Sequence, residues 1–274
     1  MQDKESFLIH TLHSGHIGDD GAVIGQTIYS ADAFCEDVHF RRDWMTPAQI
    51  GRKAMLVNLS DAVAMNATPD YALLTLSLPA DFTETAIGQL IHALESTAAE
   101  WGCEIIGGDT VGGEKLNLSI TLISHSDAPL MRTGLRVGDL LAYTGSLGES
   151  RRDLARLEAG ESIAEDSRFF RPVLRADFVR EARPWLRAGM DISDGLFCDT
   201  NKLLELNRCG YTARQQLDPE TGLSGEEYEM LIGFDPRHAS AIKARAASQG
   251  ISVTIYAEIA HNTDRFPCKS HHFG

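Results

Sequence analysis

Residues 45–69, "MTPAQIGRKAMLVNLSDAVAMNATP", read as one helix. Thr46 stands as its cap and Pro47 at the first helical position, where the missing N–H costs nothing and the fixed φ is already helical. The run is apolar on most faces and stops before Pro69, so the helix is largely buried. One residue disturbs that reading. Three and four positions from Asp61 lie Asn58, Ala64, Val57 and Met65, a face that would otherwise sit in the core. An ionised carboxylate there needs a cation, a strong set of hydrogen bonds or a shifted pKa.

Working outward, "GAVIGQTIYSAD" upstream reads as one or two short strands ending at Asp32. Downstream, "YALLTLSLP" is a strand and "DFTETAIGQLIHALESTAAEWG" an amphipathic helix, with Asp81 and Glu84 as a capping box and Gly102 closing it. "CEIIGGDT" and "LNLSITLIS" follow as strands. Periodicity lapses in the polar, turn-rich stretch Ser124 to Asp139, which predicts two domains, 1–126 and 127–274. The second half carries the strand "LLAYTG", helical segments over 149–158 and 172–182, the strand "YEMLIGF", a helix across 235–249 and the strand "ISVTIYAEI". The order is mixed α/β.

The chain of 274 residues carries a formal net charge of −14, which argues against binding nucleic acid or an anionic membrane surface. No apolar run approaches the roughly 18 residues of a membrane span. The five cysteines are scattered and lack a CxxC pair, so neither a disulfide framework nor a structural zinc is expected, and a reducing cytoplasm fits. The late cluster Cys268, His271 and His272 reads as a chain-end tail without a function.

Aspartates recur at the ends of apolar runs: Asp19 and Asp20 in "HIGDDGAV", then Asp32, Asp61, Asp109, Asp191 and Asp194. Any one of them alone reads as a turn or cap residue, and Asp194 could simply cap the helix opening at Leu196. Together they point to divalent metal. Mg²⁺ takes only one or two carboxylates per ion and fills its other positions with water and phosphate, so several ions are implied. The paired glycines of "IIGGDT" let backbone amides approach a phosphate. GxxxxGK[ST] and the protein-kinase HRD and DFG motifs are absent from the sequence, so phosphates would bind through metal.

The ordered set "IGDD", "SAD" with His39 seven residues after its Asp, "KAMLVNLSDAVAMNATP", "IIGGDT", "MRTGLRVGD", "MDISDGL" and "SGEEYE" closely resembles the thiamine-monophosphate kinases, within the wider superfamily of aminoimidazole ribonucleotide synthetase. The resemblance covers the chain to about Phe234. It implies a two-domain fold, an N-terminal α/β domain forming a homodimer interface and a C-terminal α+β domain completing the cleft. It also implies ATP-dependent phosphorylation of thiamine monophosphate to thiamine diphosphate, with several Mg²⁺ ions and ATP as co-substrate. By the same resemblance Asp20, Ser30, Asp32, Asp61, Asp109, Asp191 and Asp194 match metal positions. Gly108, Asp109, Arg132 and Ser193 match the surroundings of the ATP phosphates, and His39 and Glu226 those of the thiamine substrate. No acid or base is required, because the attacking phosphate is already largely ionised near neutrality, its second pKa being about 6.

The chain departs from the family pattern in four places. Ala31 stands where a hydroxyl residue is usual, so one metal ligand is missing or is replaced by a backbone carbonyl or water. The connection between Gly210 and Gly225 is short and lacks a helix. Ser224–Gly225 replaces a glycine pair. The C-terminus is clipped, and the aromatic residue that the resemblance implies against the thiamine ring has no clear counterpart, Phe273 being a guess. Two other readings remain open on the sequence: an enzyme of the same superfamily with a different acceptor, and a non-catalytic nucleotide- or metal-binding protein.

Overall fold

The computed structural model describes residues 4–268. Its first sheet is built from β1 (Ala22–Ile24), β2 (Thr27–Cys35), β3 (Thr68–Pro79), β4 (Glu104–Gly113) and β5 (Asn117–His125), in the order β1-β2-β5-β3-β4. Only β3 and β4 are parallel. A parallel pair needs a crossover, and α3 (Glu84–Glu100) supplies it. The second sheet is antiparallel, in the order β7-β9-β6-β10-β8, from β6 (Leu140–Thr144), β7 (Leu186–Asp191), β8 (Gly210–Ala213), β9 (Met230–Phe234) and β10 (Val253–Ala260).

The opening helix is α2 (Pro47–Ala64), with Thr46 accepting the Gln49 N–H in a complete capping box. It joins the two halves. Its residues Ala54, Met55 and Leu59 pack with Leu74, Leu118 and Ile120 of the first sheet, while Val63 and Ala64 pack with Phe178, Ile232 and Phe234 of the second half. Asp61 therefore stands at the seam between the sheets. A helix apolar all round is what a two-sided core demands.

On β2, Ile28, Ser30 and Phe34 are buried, whereas Tyr29, Ala31 and Ala33 are exposed. Ala31 thus projects from the face opposite Ser30 and Asp32, as the period of two requires. A hydroxyl at that position would not join them, so Ala31 removes no side-chain ligand from this face.

The remaining helices are α1 (Lys4–Thr11), α4 (Glu149–Glu158), α5 (Ala176–Ala182), α6 (Leu196–Leu206), α7 (Pro219–Gly222) and α8 (Ala239–Ser248). Several sequence readings change here. Helix α3 is capped by Thr83, which accepts the Ala86 N–H at 3.2 Å, because the helix begins at Glu84; Asp81 lies two residues before the cap and pairs with Arg42. The segment 172–182 is helical only from Ala176, and 235–249 opens with a 3₁₀ turn at Pro236–His238. The connection before Gly225 does hold a helix, the single turn α7, and β8 precedes it.

The expectation of no disulfide also fails: Cys198 and Cys268 are bonded, with Cα atoms 5.4 Å apart. The segment after β10 folds back on α6, where Phe266 stacks between Phe197 and Tyr211 and exchanges hydrogen bonds with Asn201. That packing makes Cys268 part of the fold, not of a loose tail. His271, His272 and Phe273 lie outside the described residues.

Candidate active site

The doublet Asp19–Asp20 divides its work. Asp19 accepts the backbone N–H of Arg132 at 2.5 Å, while Asp20 takes the same residue's guanidinium, Nε donating at 3.1 Å and Nη2 closing the pair. Asp61, near the C-terminal end of α2, and Asp191, the last residue of β7, complete the group. Carboxylate oxygens of Asp20, Asp61 and Asp191 all lie within 4.8 Å of one another. Ser60 donates its hydroxyl to Asp191 Oδ2 at 2.5 Å.

Such crowding has an electrostatic cost. Burial, then the charges of Asp32, Asp191 and Asp20, hold Asp61 well above the ordinary carboxylate range, with Arg132 pulling the other way. Burial and Asp20 raise Asp191 likewise, against the Ser60 hydrogen bond. Arg132 loses hydration on burial, but Asp20 and its neighbours more than restore its proton affinity, so its pKa rises. Among the described residues Asp20 Oδ2 is buried without a hydrogen-bond partner. One guanidinium among clustered carboxylates, with an orphaned carboxylate oxygen facing inward, is a donor set of the kind a hard divalent cation takes.

Asp32 approaches from β2. Its N–H is held at 3.0 Å by Asn58 Oδ1, and Asn58 is fixed in turn by Ala54 O at 2.9 Å. Ser30 shares Asp32's face. Opposite them, the turn after β7 brings Ser193 and Asp194, whose N–H groups both go to Asp199 Oδ2 at 3.1 Å. Asp194 does not cap α6, since its carboxylate is 2.5 Å from Lys202 Nζ. Gly195 caps α6 at φ +103, and a Cβ there would meet Leu223 and Ser224 backbone atoms at 3.1 and 3.2 Å. Burial lifts Asp199 to about 6, less than it otherwise would because Lys202 is adjacent.

His39 and Glu226 lie toward the first sheet's aromatic cluster. His39 stacks on Phe34 and accepts the Cys35 N–H on Nδ1 at 3.0 Å, while Glu226 receives Lys53 Nζ at 2.7 Å. Gly108 and Asp109 are not in the aspartate cluster. They lie on the exposed edge strand β4, and Asp109 accepts the N–H of Thr110. Gly108 has its own packing reason: at φ +150, a Cβ would sit 1.6 Å from Leu74 O of β3.

Sequence reading missed Lys53, Asn58, Ser60, Asp199 and Lys202. Asn58 and Ser60 stand just before Asp61 on the helix that opens the sequence reading, and Asp199 and Lys202 stand at the i, i+3 spacing of a helical ion pair.

One mixed and one antiparallel sheet with a carboxylate cluster between them define a class, and the family model described as AIR synthase related protein, N-terminal domain, matches residues 18–125. Within that class the chain belongs to the thiamine-monophosphate kinase family. It is 34% identical over 205 residues to the enzyme of Aquifex aeolicus, covering 71% of this chain and 67% of the relative. To that of Leptospira interrogans it is 31% identical over 253 residues, covering 84% and 82%. A solved structure of AaThiL complexed with AMPPCP and TMP superposes with a TM-score of 0.85 at 26% identity, covering 98% of each chain. The aminoimidazole ribonucleotide synthetase-like α/β and α+β fold inferred from the motifs is thus the fold observed.

Proposed function

We propose that the protein transfers the γ-phosphoryl group of ATP to thiamine monophosphate, giving thiamine diphosphate and ADP. The observation that carries this is the convergence of Asp20, Asp61 and Asp191 in a chain of this family. A phosphate oxygen of the acceptor attacks the γ-phosphorus as the bond to the β-phosphate oxygen breaks and leaves with ADP. The acceptor phosphate is mostly ionised at neutral pH, so the chain's part is to align two anions rather than to move a proton.

Asp20, Asp32, Asp61 and Asp191, with Ser30, Asp109 and Asp194 as further candidates, would hold several Mg²⁺ ions. When bound, these supply the positive charge that screens the two phosphates from each other. Arg132, held by Asp19 through its backbone, keeps its guanidinium beside Asp20 and is positioned for the ATP phosphates, together with Gly108, Asp109 and the turn at Ser193. His39 and Glu226 face the thiamine end. The domain division at 126/127 is supported by the sheets themselves, one ending at His125 and the other beginning at Leu140.

A homodimer through the first sheet is supported by its outer face, where Tyr29 and Tyr71, both opposite Ile123, and Leu73 are exposed. Sedimentation velocity of Tyr71→Asp/Leu73→Asp, expected to be monomeric, tests it. We place it in the cytoplasm on the thiols Cys35, Cys103 and Cys209, against which stands the Cys198–Cys268 disulfide, a bond that a reducing compartment disfavours. No helix of the described residues is long and apolar enough to cross a membrane.

The test of the activity is product chromatography after incubation with ATP and Mg²⁺, with thiamine monophosphate, with thiamine and with no acceptor. Thiamine diphosphate is expected from the monophosphate alone and is lost with EDTA. ADP release without that product withdraws the assignment.

A further inference from the structure

His39 and Glu226 come from different halves of the chain, and one buried side chain joins their surroundings. Lys53 on α2 is fully buried. Its Nζ lies 2.7 Å from Glu226 Oε2, 3.9 Å from the centre of the Phe169 ring and 5.8 Å from that of Phe34. Phe34 is the ring on which His39 stacks, at 5.5 Å and 20°. Lysine, Glu226, the two phenylalanines and His39 are therefore one connected group.

A lysine ammonium is strongly hydrated and almost never fully buried without a partner. A leucine or methionine would fill the same space in α2 at lower cost, so the charge itself is what the position uses. Glu226, a quarter exposed in its side chain, is held with matching firmness. It sits at φ +54 and Tyr228 at φ +51, backbone that non-glycine residues adopt at a cost of roughly 1–3 kcal/mol each. Hydrogen bonds from Glu226 N–H to Ser193 O at 2.7 Å and from Tyr228 N–H to Ile192 O at 2.9 Å hold it there. Between the two, Glu227 points the other way and is anchored by the N–H groups of Gly148 and Ser150 and the Ser224 hydroxyl. Strain of this kind is kept where the direction of a side chain matters.

Lys53 and Asp61 stand at i and i+8 on α2, about 12 Å apart along the axis at 1.5 Å per residue. We infer that Lys53 is a positioning residue of the acceptor subsite: it fixes one oxygen of the Glu226 carboxylate, two turns of α2 before the aspartate cluster. The other oxygen is then presented to a hydrogen-bond donor on the acceptor's ring system. The subsite selects an acceptor that carries a donor-bearing ring as well as the phosphate. This rests on the phosphoryl-transfer reading above.

The experiment is steady-state kinetics of Lys53→Met, which keeps the unbranched stem, with circular dichroism as a check of folding. KM for thiamine monophosphate rises about tenfold or more while KM for ATP stays within about twofold, because only acceptor binding uses Glu226. The double variant Lys53→Met/Glu226→Gln is no worse than the worse single one, as expected for two groups acting through one contact. An unchanged acceptor KM, or equal rises for both substrates, overturns the inference while leaving the proposed function standing. Wild-type protein that makes no thiamine diphosphate overturns both. If Lys53→Met does not fold, Glu226→Gln alone, at its partly exposed site, must show the same acceptor-specific rise, and its failure to do so is equally fatal.

Discussion

Glu229 and the trio Asp20, Asp61 and Asp191 are carboxylates drawn into the interior and treated in opposite ways. Glu229 is wholly buried, yet Arg168, Arg175 and the Thr144 hydroxyl all converge on it, and a Cβ on Gly145 would collide with it. Asp20, Asp61 and Asp191 are packed together with one guanidinium among them and one carboxylate oxygen left without a partner. Asp191 is as buried as Glu229 and Asp20 and Asp61 are partly so, but the compensation differs throughout. A buried acid surrounded by cations holds the fold together, whereas buried acids short of cations are arranged for something brought from outside.

The sharpest way to break this contrast is to neutralise one acid of each kind. Asp61→Asn should lower turnover by about a thousandfold or more, since transition-state charge loses its support, while thermal unfolding without added metal is unchanged or shifts upward because a like charge has gone. Retained Mg²⁺-dependent turnover would remove Asp61 from the active site. Glu229→Gln should do the reverse, costing roughly 3–5 kcal/mol in denaturant unfolding by stranding two arginines, with activity falling only as far as folded protein is lost. A variant as stable as wild type would end the comparison.

The smallest effect concerns pH. Asp199 has an ordinary value of 3.8 and a folded value of about 6, so between them the folded state binds more protons than the unfolded one. Stability contributed by this group therefore falls as pH rises through that window and levels off above it. Asp61 and Asp191, also raised, add to the same trend in metal-free protein. Denaturant midpoints in EDTA should decline from pH 4 to beyond pH 6, less steeply in Asp199→Asn. A midpoint that climbs over this range, or an identical slope in the variant, would refute the assignment.

Much of the site could be read before the fold was known, and the reason is local. Asp61 on an apolar helix contradicts its surroundings, and contradiction of a local pattern marks function. Helix α2 was legible from Thr46 to its last turn because cap, proline and apolar run all agree. Its partners were less so. That Arg132 would serve Asp20, that Lys202 would take Asp194 away from capping, and that Cys268 would reach Cys198 are contacts between residues distant in sequence or turned by a helix.

By itself, then, the sequence determined most of the elements, the buried helix with its misplaced acid, and the family to which the ordered motifs belong, because each of these depends on residues a few positions apart. Only the tertiary structure decided which aspartates meet, which are already paired with lysine or arginine, and that Lys53 links His39's ring stack to Glu226. Those relations depend on the packing of one sheet against the other across α2, and packing distances carry no mark in the order of the chain.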